Sequence, residues 1–332
     1  MKKTGFLFLF ILIGCFHTHA QQKQQPVPII FDTDMGPDYD DAGAIAILHA
    51  FADKGEAKIL ATMASTKHAK VAATLSVFNT YFKKSAIPIG VPKGWAQDLK
   101  DFQHWTDTIT ANYPHTVQNN EDAADAVKLY RQILAKQPDK SVTIVTVGFL
   151  TNLYGLLQSG ADAYSQLNGK ELVKQKVKEL VSMAGKFPAG DEFNVVKHAE
   201  ASKYVFDNWP TTIIFSGFEI GQKIKTGLPL IHNKAIQNSP VKDVFRISIP
   251  LDKQDINGRM SWDETAVLVA VAGYKPYYIL HPGRITVDDV TGSNSWVEDK
   301  KGNQFYLVEK TSPSVVEKVI NDLMMHQPVD AK

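Results

Sequence analysis

Five carboxylates fall within ten residues in Asp32-Thr33-Asp34-Met35-Gly36-Pro37-Asp38-Tyr39-Asp40-Asp41. The apolar run Val27 to Phe31, entered through Pro26 and Pro28, predicts a buried strand directly before them. Ala42 to Ala52 predicts a helix directly after, with Asp40 and Asp41 at its N-terminus, where carboxylates suit the dipole and cap free N–H groups. Gly36-Pro37 then turns the chain at the carboxyl end of the strand, the place where open α/β sheets bind ligands. Carboxylates crowded there repel one another, and a hard divalent cation with oxygen ligands is the simplest remedy. A solvated, helix-capping acidic turn would account for Asp40 and Asp41, but not for Asp32 and Asp34 at the end of a buried strand. An EF-hand is excluded, because Gly36 falls at the wrong place and no Glu closes a twelve-residue loop.

The elements that must hold these groups read as alternating strands and helices. Strands are expected at 57–64, 87–91, 141–147, 177–183 and 211–215, and helices at 69–83, 121–136, 148–158 and 199–207. Residues 92–120 read as a long irregular segment carrying Trp95 and Trp105, and loops of that length inside a compact domain are usually functional. Toward the C-terminus a helix is expected at 261–272, a strand at 277–280, a hairpin at 295–309 and a last helix at 312–325, with Pro313 at its first position. The alternation predicts an α/β fold: a Rossmann-like open, mainly parallel sheet with helices on both faces, and a small C-terminal hairpin and helix. No linker rich in Pro, Gly or Ser forces a division, so residues 28–330 are read as one domain and 21–27 as a short linker.

At 44% hydrophobic and 21% charged, the 332-residue chain is far from a disordered composition. A formal charge of +1 argues against a nucleic-acid polymer as partner. Residues 1–20 read as a signal peptide for export to the periplasm or the exterior: Lys2 and Lys3, an apolar stretch from Gly5 to Phe16, then Thr18-His19-Ala20 as a cleavage site. The stretch is too short for a stable membrane span, so no transmembrane segment is expected. Leu12-Ile13-Gly14-Cys15 also resembles a lipoprotein cleavage box, which would anchor the chain at Cys15, the only cysteine. Cleavage after Ala20 is preferred, because the apolar run continues through Phe16. It would leave 34 basic against 35 acidic residues and no cysteine for a disulfide.

The opening motif resembles the N-terminal signature of the inosine–uridine-preferring nucleoside hydrolases, usually Asp-x-Asp-x-Gly-x-Asp-Asp-Ala, with two extra residues here before the Asp40-Asp41 pair. The resemblance implies the nucleoside-hydrolase fold, Ca2+ held by Asp34 and Asp41, Asp40 gripping the ribose, Asp34 as base toward the attacking water, and Asp32 in support. Gly148-Phe149-Leu150-Thr151-Asn152 is similar to a family segment in which the carbonyl before the Gly binds the metal, implying Val147. Glu192-Phe193-Asn194 matches a family Glu-Phe-Asn whose Glu and Asn hold the ribose hydroxyls. Asp263, near the start of the 261–272 helix, stands where the family has its last calcium ligand. The residue before it is a histidine in the nonspecific branch, thought to protonate the departing base, whereas Trp262 resembles the purine-specific branch, in which tryptophans stack on the base. Trp95 would be the other stacking residue, with Trp105 its rival. Ser65 stands near a common substrate-contacting Asn, and Lys186 near another.

The expected activity is therefore calcium-dependent hydrolysis of ribonucleosides, purines preferred, by a protein whose assembly as homodimer or homotetramer stays open. Two alternatives remain at this level: a haloacid-dehalogenase-like phosphatase with Asp32 as nucleophile, and an exported protein that binds nucleosides or sugars without cleaving them.

Overall fold

The computed structural model describes residues 25–329. The expected signal peptide and Cys15 lie outside these residues. In chain order the strands are β1 (Val27–Thr33), β2 (Ala57–Ala64), β3 (Ile89–Val91), β4 (Ala124–Asp125), β5 (Val142–Thr146), β6 (Val177–Met183) and β7 (Ala189–Gly190), then β8 (Thr212–Ser216), β9 (Lys225–Thr226), β10 (Arg259–Met260), β11 (Tyr278–Val287), β12 (Asn294–Glu298) and β13 (Gln304–Glu309). Eleven of them form one sheet in the order β4-β3-β2-β1-β5-β6-β8-β13-β11-β12-β7, and β9 and β10 pair separately. The run from β4 to β13 is parallel throughout, and β11, β12 and β7 extend it in antiparallel fashion. This is the mainly parallel sheet the alternating pattern predicts.

The order in which strands are added reverses at β1: the chain runs outward through β2, β3 and β4, then returns to add β5 on the other side. A crevice opens at such a switch point, outside the carboxyl ends of the two central strands. Both faces of the sheet are covered, so successive residues of a central strand enter different cores. Ile29 and Phe31 join one with Val267 and Leu268, whereas Ile30 joins the other with Leu129, Leu153 and Val205. The first core is covered by the helices Asp40–Asp53, Val71–Tyr81 and Trp262–Ala272, and the second by Ala126–Ala135, Thr151–Gln158 and Ala199–Asn208.

Several elements depart from expectation. The segment read as irregular contains the helix Trp105–Asn112, with Trp105 fully buried, so its aromatics partly serve packing. The helices Gly169–Lys176 and Pro240–Ser248 lie where no element was read. Their local signals are orthodox: Asn168 and Glu171 form a capping box, and Ser239 caps Lys242 N–H just ahead of Pro240. Strand β11 is ten residues long, more than twice its expected length, because its far half pairs with β12.

Candidate active site

β1 runs two residues further than its apolar segment suggests, carrying Asp32 and Thr33 into the sheet, and β5 lies beside it with Asp32 opposite Thr146. Continued past the strand ends, that register sets Asp34 against Gly148, one residue beyond Val147. Gly148 makes the approach feasible, since a Cβ there would sit 2.3 Å from the Asp34 backbone nitrogen. The first helix begins at Asp40, two residues before the expected Ala42, so Asp40 and Asp41 form its first turn. It packs closely on Trp262–Ala272, where a Cβ on Gly43 would come within 2.1 Å of a Glu264 oxygen. The crossing brings the N-terminus of the second helix, with Asp263, against the acidic loop.

Asp34, Asp40, Val147, Glu192, Asn194, Trp262 and Asp263 line a cavity of about 240 Å³ together with Arg259, Phe218 and Asp252. Asp41 lies just behind them, and oxygens of Asp40, Asp41 and Asp263 all come within 4.8 Å of one another. Asp40 is held from two sides: Oδ1 accepts from Arg259 Nη2 (2.9 Å) and Nε (3.3 Å), and Oδ2 from the backbone N–H groups of Trp262 (3.1 Å) and Asp263 (3.3 Å). By contrast, Oδ2 of Asp34 and Oδ2 of Asp41 are buried with no partner. Orphaned buried carboxylate oxygens are rare in folded proteins and costly without a counter-charge. The cluster within reach of a single ion is Asp40, Asp41 and Asp263, an all-oxygen donor set that fits a hard divalent cation, and Asp34 borders the same cavity without joining that cluster. Burial, then the charge of Asp41, pushes the Asp34 carboxyl well up; burial, then Asp41 and Asp34, does the same to Asp263. Burial raises Asp41 to about 6, against a bond from the Thr33 hydroxyl.

Asp32 never reaches the cavity. Its carboxylate accepts from Tyr130 Oη (2.8 Å) and Asn152 Nδ2 (3.1 Å), and burial lifts it to about 7. A nucleophile so enclosed cannot meet a phosphate ester, which removes the phosphatase alternative. Asn152 also donates to the Ala64 carbonyl at 2.6 Å, so it braces strand ends instead of capping its helix. On the opposite wall Glu192 accepts from the backbone N–H groups of Asn194 (2.8 Å), Gly185 (3.0 Å) and Val195 (3.2 Å), and burial raises it to about 7. The Asn194 amide donates to the Val147 carbonyl at 3.1 Å, tying this wall to β5.

Two expected substrate contacts lie off the cavity. Ser65 is fully buried behind Asp34 and Gly148, its hydroxyl unpartnered. Trp95 faces a second cavity of about 390 Å³, its ring centroid 4.4 Å from that of His198. Lys186 is exposed, with Nζ 5.3 Å from the centroid of Phe218. Trp262 does border the cavity; its indole N–H donates to the Phe218 carbonyl (2.9 Å), and the two rings lie 5.2 Å apart. Arg259 went unread, since a single Arg after Asn257-Gly258 carries no motif and only the fold buries it among carboxylates.

A mainly parallel sheet with a buried acidic crevice at its switch point, walled by a polar Glu/Asn pair, has the layout of a metal-assisted hydrolase acting on a polar small molecule. Residues 29–321 match the family described as inosine-uridine preferring nucleoside hydrolase, and the chain belongs to that family. It is thus a hydrolase acting on N-glycosyl compounds. It is 25% identical over 234 residues to the inosine-uridine preferring nucleoside hydrolase of Crithidia fasciculata, covering 67% of this chain and 70% of that one. It is 29% identical over 238 residues to the pyrimidine-specific ribonucleoside hydrolase RihA of a Shewanella strain, covering 68% and 66%. The solved structure of a purine-preferring ribonucleoside hydrolase from Gardnerella vaginalis shares the fold, with a TM-score of 0.68 at 17% identity over 90% of this chain and 99% of that one. Among the described residues no helix is long and apolar enough to cross a membrane.

Proposed function

We propose that the chain is a calcium-dependent ribonucleoside hydrolase that prefers purine nucleosides. The Asp40, Asp41 and Asp263 cluster, with the orphan oxygens of Asp34 and Asp41 beside it, carries the metal half of this reading. Asp34, Asp41, Asp263 and the Val147 carbonyl would hold the ion, and a divalent cation so placed lowers the pKa of a coordinated water toward neutrality. Asp34 accepts the proton of the attacking water as oxygen bonds to the anomeric carbon. The C–N bonding pair leaves with the base, and the sugar passes through an oxocarbenium-like state. Glu192 and Asn194, locked by their backbone partners, orient the ribose with Asp40, and alignment of this kind supplies several kcal/mol of the barrier.

Base preference follows from what borders the leaving group. Among the described residues no histidine lines the cavity, and position 262 is a tryptophan with its N–H already bonded to a carbonyl. A purine can take its proton from solvent at the imidazole nitrogen while it lies against Trp262 and Phe218; a pyrimidine has no such nitrogen. The RihA relative is named for the opposite preference, so the base must be tested directly. Inosine, adenosine, guanosine and uridine should be assayed for reducing sugar with and without a calcium chelator. Purine nucleosides should be cleaved only with calcium present. Uridine cleaved as efficiently would sink the base preference, and activity indifferent to the chelator would sink the metal.

A further inference from the structure

Arg259 lies at the cavity wall, almost fully buried, with the guanidinium carbon 4.7 Å from the Tyr39 ring centroid and 5.1 Å from that of Trp262. Its side chain gathers three carboxylates. It binds Asp38 through Nη2, Asp40 through Nη2 (2.9 Å) and Nε (3.3 Å), and Asp255 through Nη1 (3.4 Å). Asp255 in turn accepts from Tyr39 Oη at 2.6 Å. Asp38 and Tyr39 belong to the stretch of the acidic loop that is two residues longer than the usual family signature. The extra length therefore has a structural partner, supplied by the segment that leads into the helix bearing Asp263.

We propose that Arg259 is a positioning residue for sugar recognition, which holds the Asp40 side chain in one orientation and relies on Asp38 to stay in place. The assignment rests on the nucleoside hydrolase reading above. Two independent anchors, the guanidinium on Oδ1 and the helix N–H groups on Oδ2, leave the Asp40 carboxylate no freedom to rotate. A planar fork between flanking aromatic rings has a geometry that lysine cannot reproduce. A ribose hydroxyl then meets a carboxyl group whose direction is already set. Without Arg259, Asp40 keeps only the helix anchor, and Asp38 is left without its counter-charge beside Asp40.

The test compares inosine with 2′-deoxyinosine, both for base release and for binding by calorimetry, in wild type, Arg259→Lys, Arg259→Gln and Asp38→Asn. Thermal melting in each case establishes that the variant is folded. In Arg259→Lys the ribo-over-deoxyribo preference in kcat/KM should fall about 10-fold or more, the size of one lost charge-assisted hydrogen bond. Asp38→Asn should lower it in the same direction and less, and should cost little further in the Arg259→Gln background, since the two act as a unit. General loosening of the fold would depress both substrates alike and leave their ratio intact, so an unchanged ratio in Arg259→Lys or in Asp38→Asn overturns the assignment. Binding keeps the two claims apart. A wild type that binds inosine over deoxyinosine without cleaving either refutes the hydrolytic reading, and the binding ratio then decides on Arg259. A wild type that neither binds nor cleaves refutes both.

Discussion

Gly148→Ala isolates the contact on which the site's geometry depends. The substitution adds one methyl group at the end of β5, and its carbon would lie 2.3 Å from the Asp34 backbone nitrogen, 2.8 Å from the Asp34 Cβ and 2.6 Å from the Ser65 hydroxyl. Ordinary contact starts at 3.4 Å, so the closest pair must separate by about 1 Å. Because a backbone atom is in the way, rotamer changes cannot relieve the clash, and the ends of β1 and β5 must part. Overpacking of this kind costs about 1–3 kcal/mol, which a protein of ordinary stability survives. Function should suffer far more. Metal ligands tolerate shifts of only about 0.2 Å, and a 1 Å misplacement of a reacting group can cost about 100-fold in rate. Gly148→Ala should therefore melt a few degrees lower, bind calcium at least about 10-fold more weakly by calorimetry, and lose about 100-fold in kcat/KM. A folded variant with wild-type calcium affinity and turnover would show that the close approach of Asp34 to Gly148 has no bearing on the site.

Other perturbations probe separate parts of the reasoning. Asp263→Asn removes one of the crowded carboxylates, so the calcium-free variant should melt above calcium-free wild type, while added calcium should no longer raise its Tm; a preserved calcium shift would free Asp263 of any ligating role. For calcium-free protein, Asp41 near 6 and Asp32 and Glu192 near 7 all stand above unfolded carboxylate values. The folded chain then binds more protons than the unfolded one, and stability should fall as pH rises from about 4 to 7. Melting curves in chelator across that range check the sign, and a Tm that climbs with pH would contradict it; Asp32→Asn should flatten the portion near 7. Trp262→His would place a proton donor beside the leaving base and should raise the uridine-to-inosine ratio of kcat/KM by about 10-fold or more, within the usual reach of general acid catalysis. Trp95→Ala should leave inosine kinetics nearly intact, because its ring lies in the second cavity; a large rise in KM would mean that it reaches the substrate.

Much of the site's framework is local and could be read from residue order. A β-branched and aromatic run ending in Asp-Thr-Asp, followed by a turn and a small-residue helix, specifies strand, crevice and helix within one stretch of chain. Hydrophobic periodicity placed β5, β6 and β8 and the helix that carries Asp263, because buried parallel strands advertise themselves as continuous apolar runs. Even the overlooked helices Gly169–Lys176 and Pro240–Ser248 carried their caps in plain view. What the linear chain could not reveal is who meets whom across the sheet. Asp32 and Asp34, two residues apart and alike in type, end in opposite settings: one is enclosed by Tyr130 and Asn152, the other lines the cavity with an unpartnered oxygen. Trp95 and Trp262 looked equivalent as stacking residues until the packing sent one to His198 and the other to the cavity. Arg259 had no signal at all, since a cation 219 residues from Asp40 becomes its partner only when two helices cross at Gly43. Side-chain type and spacing determine local conformation, whereas charge pairing and burial depend on distances that exist only once the chain has closed on itself.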